Sequence, residues 1–289
     1  MNYFINMQFK VGCVLSYEVL TSSTFIFNIS AEKNEYQNIV EEELRVVPEL
    51  PIEEFSTKKN STRSHMLFAE PGNLEITYNA VVEINNIISS AEEANEIHTT
   101  KLPFTVIEYL YPSRYCESDK LERITHKEFT KFPPGFTRVT AISNWIYENV
   151  EYLFGTTGSM TSAYDTVAER TGVCRDFAHL GIAFCRALGI PARFCSSYAY
   201  GLDPPDFHAF FEAYLGNSWY IFDPTRLAPQ TSFVKIGTGH DAGEVSFATI
   251  IGQAKMTNIE IIMDPLTTDE KNNIIKPSFT TQPITSGHS

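Results

Sequence analysis

The sequence predicts an α+β chain in which an N-terminal antiparallel β-sandwich precedes a domain made of a helix packed on an antiparallel sheet. Three observations carry that prediction. The length of 289 residues exceeds the ~100–200 of one ordinary domain. Short alternating or apolar runs fill residues 11 to 110. After them, helical periodicity appears near 140–150 and 173–188, followed by three strand-like segments.

Taken in order, Val14 to Val19, Thr24 to Ile29 and Leu74 to Ile84 alternate apolar with polar residues, and Asn, Pro and Gly punctuate them. Residues 1–110 therefore form the β-domain. Residues 111–125 read as a linker, because Tyr111 to Lys120 shows no period. The second domain spans 126–264 and opens on the helical run Thr140 to Val150, with a Gly/Ser/Thr loop over 155–162. Its central helix runs from Val173 to Leu188: Phe177, Leu180, Phe184 and Leu188 recur at steps of three and four, and Gly189 and Pro191 end it. Strands are predicted at 192–200, 207–215 and 218–223, the last two joined by a Gly216-Asn217 turn. Residues 265–289 read as an irregular polar tail.

Composition excludes several classes of function. A net charge of −13 repels phosphate, so neither nucleic acid nor an anionic membrane surface is an expected partner. Eight acids lie within 32–54 (Glu32, Glu35, Glu41, Glu42, Glu43, Glu49, Glu53, Glu54) and read as a solvated face. No apolar run approaches the ~18–20 residues that span a bilayer, and the start lacks a signal-peptide pattern, so a cytoplasmic location is expected. Five cysteines without a C-x-x-C argue against a disulfide framework and a zinc knuckle, and fit a reducing compartment. No metal or cofactor is expected: Asp264, Asp269 and Glu270 lack the ligand spacing of a calcium loop.

Cys174 falls in the first turn of the central helix, where unpaired N–H groups and the positive dipole end stabilise an anion. The dipole contributes at most ~2 kcal/mol. Bringing a thiol from ~8.5 to the ~4 of His-paired cysteine enzymes requires ~6 kcal/mol, so a cationic partner is needed. His208, inside the apolar strand Phe207 to Phe211, is the best candidate. If Gly216 and Asn217 are the two turn residues, Leu215 pairs with Ser218 and His208 aligns with Thr225. Asp223 then sits diagonal to His208 on the same sheet face. In this arrangement Asp223 orients His208, His208 exchanges a proton with Cys174, and the Cys174 N–H supplies one oxyanion donor. The competing reading makes Cys174 a small buried hydrophobe and His208 a core histidine.

Four segments in order, Thr171 to Leu180, Ala187 to Arg193, Asp206 to Tyr214 and Trp219 to Thr225, resemble the transglutaminase-like superfamily, and most closely its bacterial group of transglutaminase-like cysteine proteases. The resemblance implies a papain-like transglutaminase core with a triad carried by Cys174, His208 and Asp223. It extends to the N-terminal β-region, with its Pro48 and Asn60 stretches, and to the connector Tyr111 to Tyr115. One departure stands at Gly237 to Ala242, where the group commonly carries Gly-Arg-Gly-Arg-Asp-Ala and this chain has Thr238 and His240 at the two arginine positions.

Asp206, His179 and His240 are the candidate substrate-binding residues, although a mid-helix histidine such as His179 also suits a core position. Asp176 is expected to satisfy N–H groups of the first helical turn, and Cys185 and Cys195 read as core. The function expected is a cysteine-dependent amide or peptide hydrolase working through an acyl-thioester, with a peptide or protein as substrate. Transfer of the acyl group to an amine and a non-catalytic peptide-binding module are the alternatives.

Overall fold

The structure is a computed structural model that describes residues 3–56, 61–269 and 271–288; Asn60 and Glu270 lie outside them. The N-terminal region holds β1 (Tyr3–Val19), β2 (Ser23–Phe27), β3 (Gln37–Val47), β4 (Glu53–Ser56), β5 (Arg63–Ala69) and β6 (Gly72–Ile88). Hydrophobic alternation decides how they pack. Phe9, Val11, Cys13, Leu15 and Tyr17 of β1 are buried, as are Leu74, Ile76, Tyr78 and Val82 of β6. The two strands pair antiparallel from Tyr3↔Ile88 to Val19↔Gly72, so these residues line one face. A second sheet holding β2, β5 and β4 covers that face with Phe25, Phe27 and Leu67, completing the sandwich.

The second region begins with α1 (Phe104–Ile107), α2 (Ser118–Phe129) and α3 (Phe136–Asn149), then β7 (Glu151–Tyr152), α4 (Ala163–Glu169), β8 (Thr171–Gly172) and α5 (Cys174–Ala187). The sheet strands β9 (Ala192–Tyr198), β10 (Phe207–Leu215), β11 (Ser218–Phe222) and β12 (Val234–Gly239) follow, then α6 (Ala242–Val245), β13 (Ala248–Ile251), β14 (Ala254–Pro265) and β15 (Ile284–His288). The α5 helix is buried from Asp176 to Arg186, wedged between the sheet and the other helices. Gly181 permits its close approach to the sheet: a Cβ there would stand 2.3 Å from the Phe211 ring. On the opposite side Phe184 packs against Phe129 and Trp145 at 5.2 and 5.4 Å.

The chain is α+β, with the Cys-bearing helix packed on an antiparallel sheet, but the two regions share one sheet of nine strands. Its order is β12-β9-β10-β11-β15-β6-β1-β14, with β3 also on β6. This corrects the division expected from sequence. Residues 248–264 are expected in the second domain, yet β13 pairs with β2 and β14 pairs with β1. The tail holds β15, which pairs with both β11 and β6, and Ile284 and Thr285 are buried there. These strands find partners far away along the chain, beyond the reach of local periodicity. The expected linker also contains the first turns of α2, whose Leu121 and Phe129 face the core.

Glu32 departs from the solvated face expected for the acidic stretch. It is buried, and its N–H donates to the Lys235 carbonyl of β12 at 2.8 Å. Beside it, the Lys235 ammonium donates to Glu212 at 3.2 Å, and Arg193 pairs with the other Glu212 oxygen at 2.7 Å. Gln37 completes the junction, donating to the Lys235 carbonyl and accepting its N–H, both at 2.8 Å. Burial holds the Glu32 carboxyl above the usual carboxylate range, against the opposing pull of Lys235 and Arg193.

Candidate active site

Three segments with different folding logic converge at the N-terminal end of α5. The helix starts at Cys174 because Asp176, three residues past Val173, turns back to accept the Val173 N–H at 3.0 Å. Asp176 also accepts the Thr157 hydroxyl at 2.7 Å and pairs with Arg175 at 2.9 Å, fixing the loop before α4 against the helix start. Cys174 is half-buried, whereas the other four cysteines are buried. Burial raises the thiols of Cys13 and Cys116, to about 11 and about 12, and those of Cys185 and Cys195 more strongly. Those four are inert packing groups.

The hairpin supplies the other two groups. Leu215 pairs with Ser218 and Phe211 with Phe222, the register expected from the two-residue turn. Gly216 and Asn217 both have positive φ, and a Cβ on Gly216 would collide with the Glu93 carbonyl, so glycine is required there. This register places His208 Nε2 2.9 Å from Asp223 Oδ2, with both side chains buried. Asp223 is held in turn: its Oδ1 accepts the Thr225 N–H at 2.9 Å and the Thr225 hydroxyl at 2.8 Å.

Cys174 is the second group, after Asp223, that favours a proton on the His208 ring. Since Nε2 is engaged by Asp223, Nδ1 is the ring nitrogen left for sulfur. Burial opposes a charge on His208, but Asp223 and Cys174 outweigh it and push its pKa up to about 10. At neutral pH the imidazole is therefore a cation beside sulfur, the partner that the dipole alone could not replace.

Sequence reasoning missed two contributors. Thr225 was legible as an Asx-type turn in Asp223-Pro224-Thr225, the short polar side chain bonding backbone two residues on. Tyr152 gave no local signal. It occupies the two-residue strand β7, which pairs parallel with β8 just before Cys174. Its ring packs on Phe177 of α5 at 5.7 Å, which brings the phenol near Cys174. Burial and the neighbouring sulfur hold the phenol above its ordinary pKa.

The remaining candidates separate. Asp206 lies on the exposed loop beside His208 and accepts the Phe207 N–H at 2.7 Å. Desolvation lifts its carboxyl, which the Phe207 N–H and His208 partly offset. It is the one predicted binding residue at the rim. His179 is a core side chain: fully buried, stacked on Tyr115 at 5.2 Å, with Nε2 accepting the Ala242 N–H at 3.1 Å. Burial lowers its pKa to about 3, so it is neutral, and it presents no surface to solvent. His240 lies at the far end of α5, where its carbonyl accepts from Arg186 at 2.7 Å and its ring bonds Glu244 at 2.8 Å. Arg186 stands twelve residues past Cys174 on α5, so the structure ties His240 to the end of the helix away from Cys174.

Leu153, Phe154 and Met160 are exposed on the loop between β7 and α4. Behind Asp223 a cavity of about 680 Å³ opens between α3, the end of β11 and residues 279–282. Among the described residues no group of three or more His, Cys, Asp or Glu side chains is arranged to hold a metal ion.

Comparison with known proteins agrees with this architecture. Residues 121–224 match the family model of the transglutaminase-like superfamily, and residues 7–105 match that of the bacterial transglutaminase N-terminal domain. A crystal structure of a protein from Cytophaga hutchinsonii, named a "putative cysteine protease", superposes with a TM-score of 0.94 at 43% identity, covering 99% of each chain. An uncharacterized protein of Mycobacterium leprae is 26% identical over 203 residues, spanning 66% of this chain and 72% of its own. A Mycobacterium tuberculosis relative is 31% identical over 121 residues, 36% of this chain and 38% of the relative.

Proposed function

The chain belongs to the transglutaminase-like superfamily, and from that premise we propose that it is a cysteine-dependent amide or peptide hydrolase with Cys174 as nucleophile, His208 as acid and base, and Asp223 as orienting carboxylate. The observation that carries this reading is the buried His208–Asp223 pair, 2.9 Å apart, with Cys174 at a helix N-terminus as the further neighbour that raises the His208 pKa. The name of the Cytophaga relative supports a cysteine protease.

In the proposed cycle the thiolate attacks a carboxamide carbon, and the C–O π pair moves onto oxygen. When that pair returns, the C–N bond breaks and the His208 imidazolium gives its proton to the departing nitrogen. The neutral imidazole then takes a proton from water as its oxygen attacks the thioester, and collapse of the adduct releases the acid and restores the thiolate–imidazolium pair. The half-buried position of Cys174 beside an exposed loop lets water reach that thioester. A peptide or protein is the proposed substrate, its chain crossing the rim between residues 153–161 and 201–206.

Alkylation by iodoacetamide as a function of pH, mapped over all five cysteines, tests the ion pair. Cys174 is expected to react selectively near pH 6 in the wild type and to lose that reactivity in His208→Ala. A Cys174 that labels no faster than an ordinary thiol sinks the proposal. Incubating a peptide library with and without an added primary amine, and weighing the products, separates hydrolysis from amine transfer.

A further inference from the structure

We infer that the cavity behind Asp223 is a binding site separate from the thiol, and that it takes an apolar carboxylate with the chemistry of an N-acylated apolar amino acid. Neither Cys174 nor His208 lines its volume of about 680 Å³. That size falls within the ~300–1,000 Å³ of ordinary small-molecule sites. Two charged residues do line it, Asp223 and Arg226. Asp223 is already engaged, by His208 through one oxygen and by Thr225 through the other, and with the protonated ring the pair is neutral overall. Arg226 has no such balance: among the described residues no carboxylate pairs with it. The cavity thus carries one uncompensated positive charge in a chain whose net charge is −13, and an anion complements it.

Arg226 is held in place at this wall. Its guanidinium donates to Asn144 Oδ1 on α3 and lies over the Tyr147 ring at 4.1 Å from the centroid. Its backbone takes a φ of 55°, the left-handed region that a residue with a Cβ enters only at a cost and that recurs at ligand clamps. One contact to Asn144 leaves most of the five guanidinium N–H donors for a carboxylate, which such a fork grips with two parallel bonds.

The inside of the cavity fixes the rest of the ligand. Thr140 lines it with Oγ1 buried and without a hydrogen-bond partner among the described residues, where a buried hydroxyl ordinarily has one. Thr140 stands four residues before Asn144, so the orphan hydroxyl and the anchor of the guanidinium share one face of α3, about one turn apart. A carboxylate on Arg226 therefore leaves the acylamino group of the same molecule within reach of Thr140. The apolar side chain meets Phe136 and Phe222, whose rings lie 5.2 Å apart. Phe279, 64% exposed, adds an aromatic wall on the side of the tail. That wall is tied on both flanks, since the Thr231 hydroxyl donates to the Ser278 carbonyl at 3.1 Å and the Thr285 hydroxyl to the Trp219 carbonyl at 2.8 Å.

N-acetylphenylalanine is the probe, and N-acetylphenylalaninamide, the same molecule without the charge, is its control. In titration calorimetry the acid is expected to bind saturably and about 10-fold or more tighter than the amide, the difference that a hydrogen bond to a charged group makes. Arg226→Gln should erase that difference. Thr140→Val keeps the volume and removes the hydroxyl, so it should weaken acid and amide alike, by about 3-fold or more. Protein alkylated on Cys174 with iodoacetamide should bind the acid as tightly as free protein. The inference is overturned by an acid that gives no saturable heat, by equal affinity for acid and amide, by a difference that survives Arg226→Gln, or by a Thr140→Val protein that binds as wild type does. Loss of binding on alkylation overturns it too, by placing the acid in the Cys174 cleft. The acid–amide comparison uses the wild-type chain and decides the matter even where a variant fails to fold. The pH dependence of Cys174 alkylation tests the hydrolase reading separately, and neither result decides the other.

Discussion

At the residue scale, the charge on His208 is set by its neighbours. Burial alone would strip its proton, and Asp223 with Cys174 reverses that outcome. Because its folded pKa of about 10 lies above the ordinary 6.5, the group stabilises the fold fully below about pH 6.5, and the contribution fades as pH rises through about 10. Denaturant titrations from pH 6 to 10.5 should show that decline in the wild type. Asp223→Asn removes the main support of the charge, so the decline should shrink, and the rate of any acyl transfer should fall by up to ~10⁴ on the serine-protease analogy. Thr225→Val keeps the backbone bond to Asp223 but deletes the hydroxyl one. A loss of roughly 1.5–3 kcal/mol in unfolding free energy is expected, the usual size for a hydrogen bond to a charged group. Cys174, His208 and Asp223 were legible because a helix start and a two-residue hairpin fix register from local sequence alone. Tyr152 was not, since two residues of parallel pairing carry no period, and His240 misled because nearness to a motif says nothing about which end of a helix it reaches.

At the element scale, α5 is where local pattern and tertiary packing agree most closely. Its apolar stripe, its Asp176-braced start and its Gly189 stop are all visible in the sequence, and the observed bounds fall within two residues of the expected ones. Its tightness against the sheet is not visible, because Gly181 reads as a weakness in a helix until Phe211 is seen beside it. Gly181→Ala should therefore destabilise the protein despite alanine's better helix propensity, by about 1–3 kcal/mol as overpacking usually costs. Phe211→Leu in the same chain should recover part of that loss, a pattern chemical denaturation can resolve. Elements completed by distant partners, β13 to β15 above all, had no such local signature.

At the scale of the whole molecule, the junction of the two regions is polar at its centre. Glu32, Glu212, Arg193 and Lys235 lie together, with Lys235 on β12 and Glu32 in the loop after β2. Lys235→Met leaves Glu212 and Glu32 with one cation fewer, and breaking a buried pair in this way costs about 3–5 kcal/mol. A drop of that size in urea unfolding, with no change in the Cys174 alkylation rate, would show that the cluster joins the regions without touching the chemistry. A Lys235→Met protein as stable as wild type would remove it from that role. Little of this was readable beforehand, since a glutamate in an acidic run differs from its neighbours only through the strand that comes to lie over it.

The strands β14 and β15 set the size of the piece that evolution can trade. Family resemblance concentrates in two blocks, 7–105 and 121–224, yet β1 is flanked by a strand drawn from 254–265, and β6 meets β11 only through residues after 283. A gene fusion that copied either block alone would carry the recognisable letters while leaving open strand edges that invite aggregation. The N-terminal sandwich is accordingly a co-inherited half of one sheet, and recombination can move this active site to a new setting only by moving both ends of the chain with it.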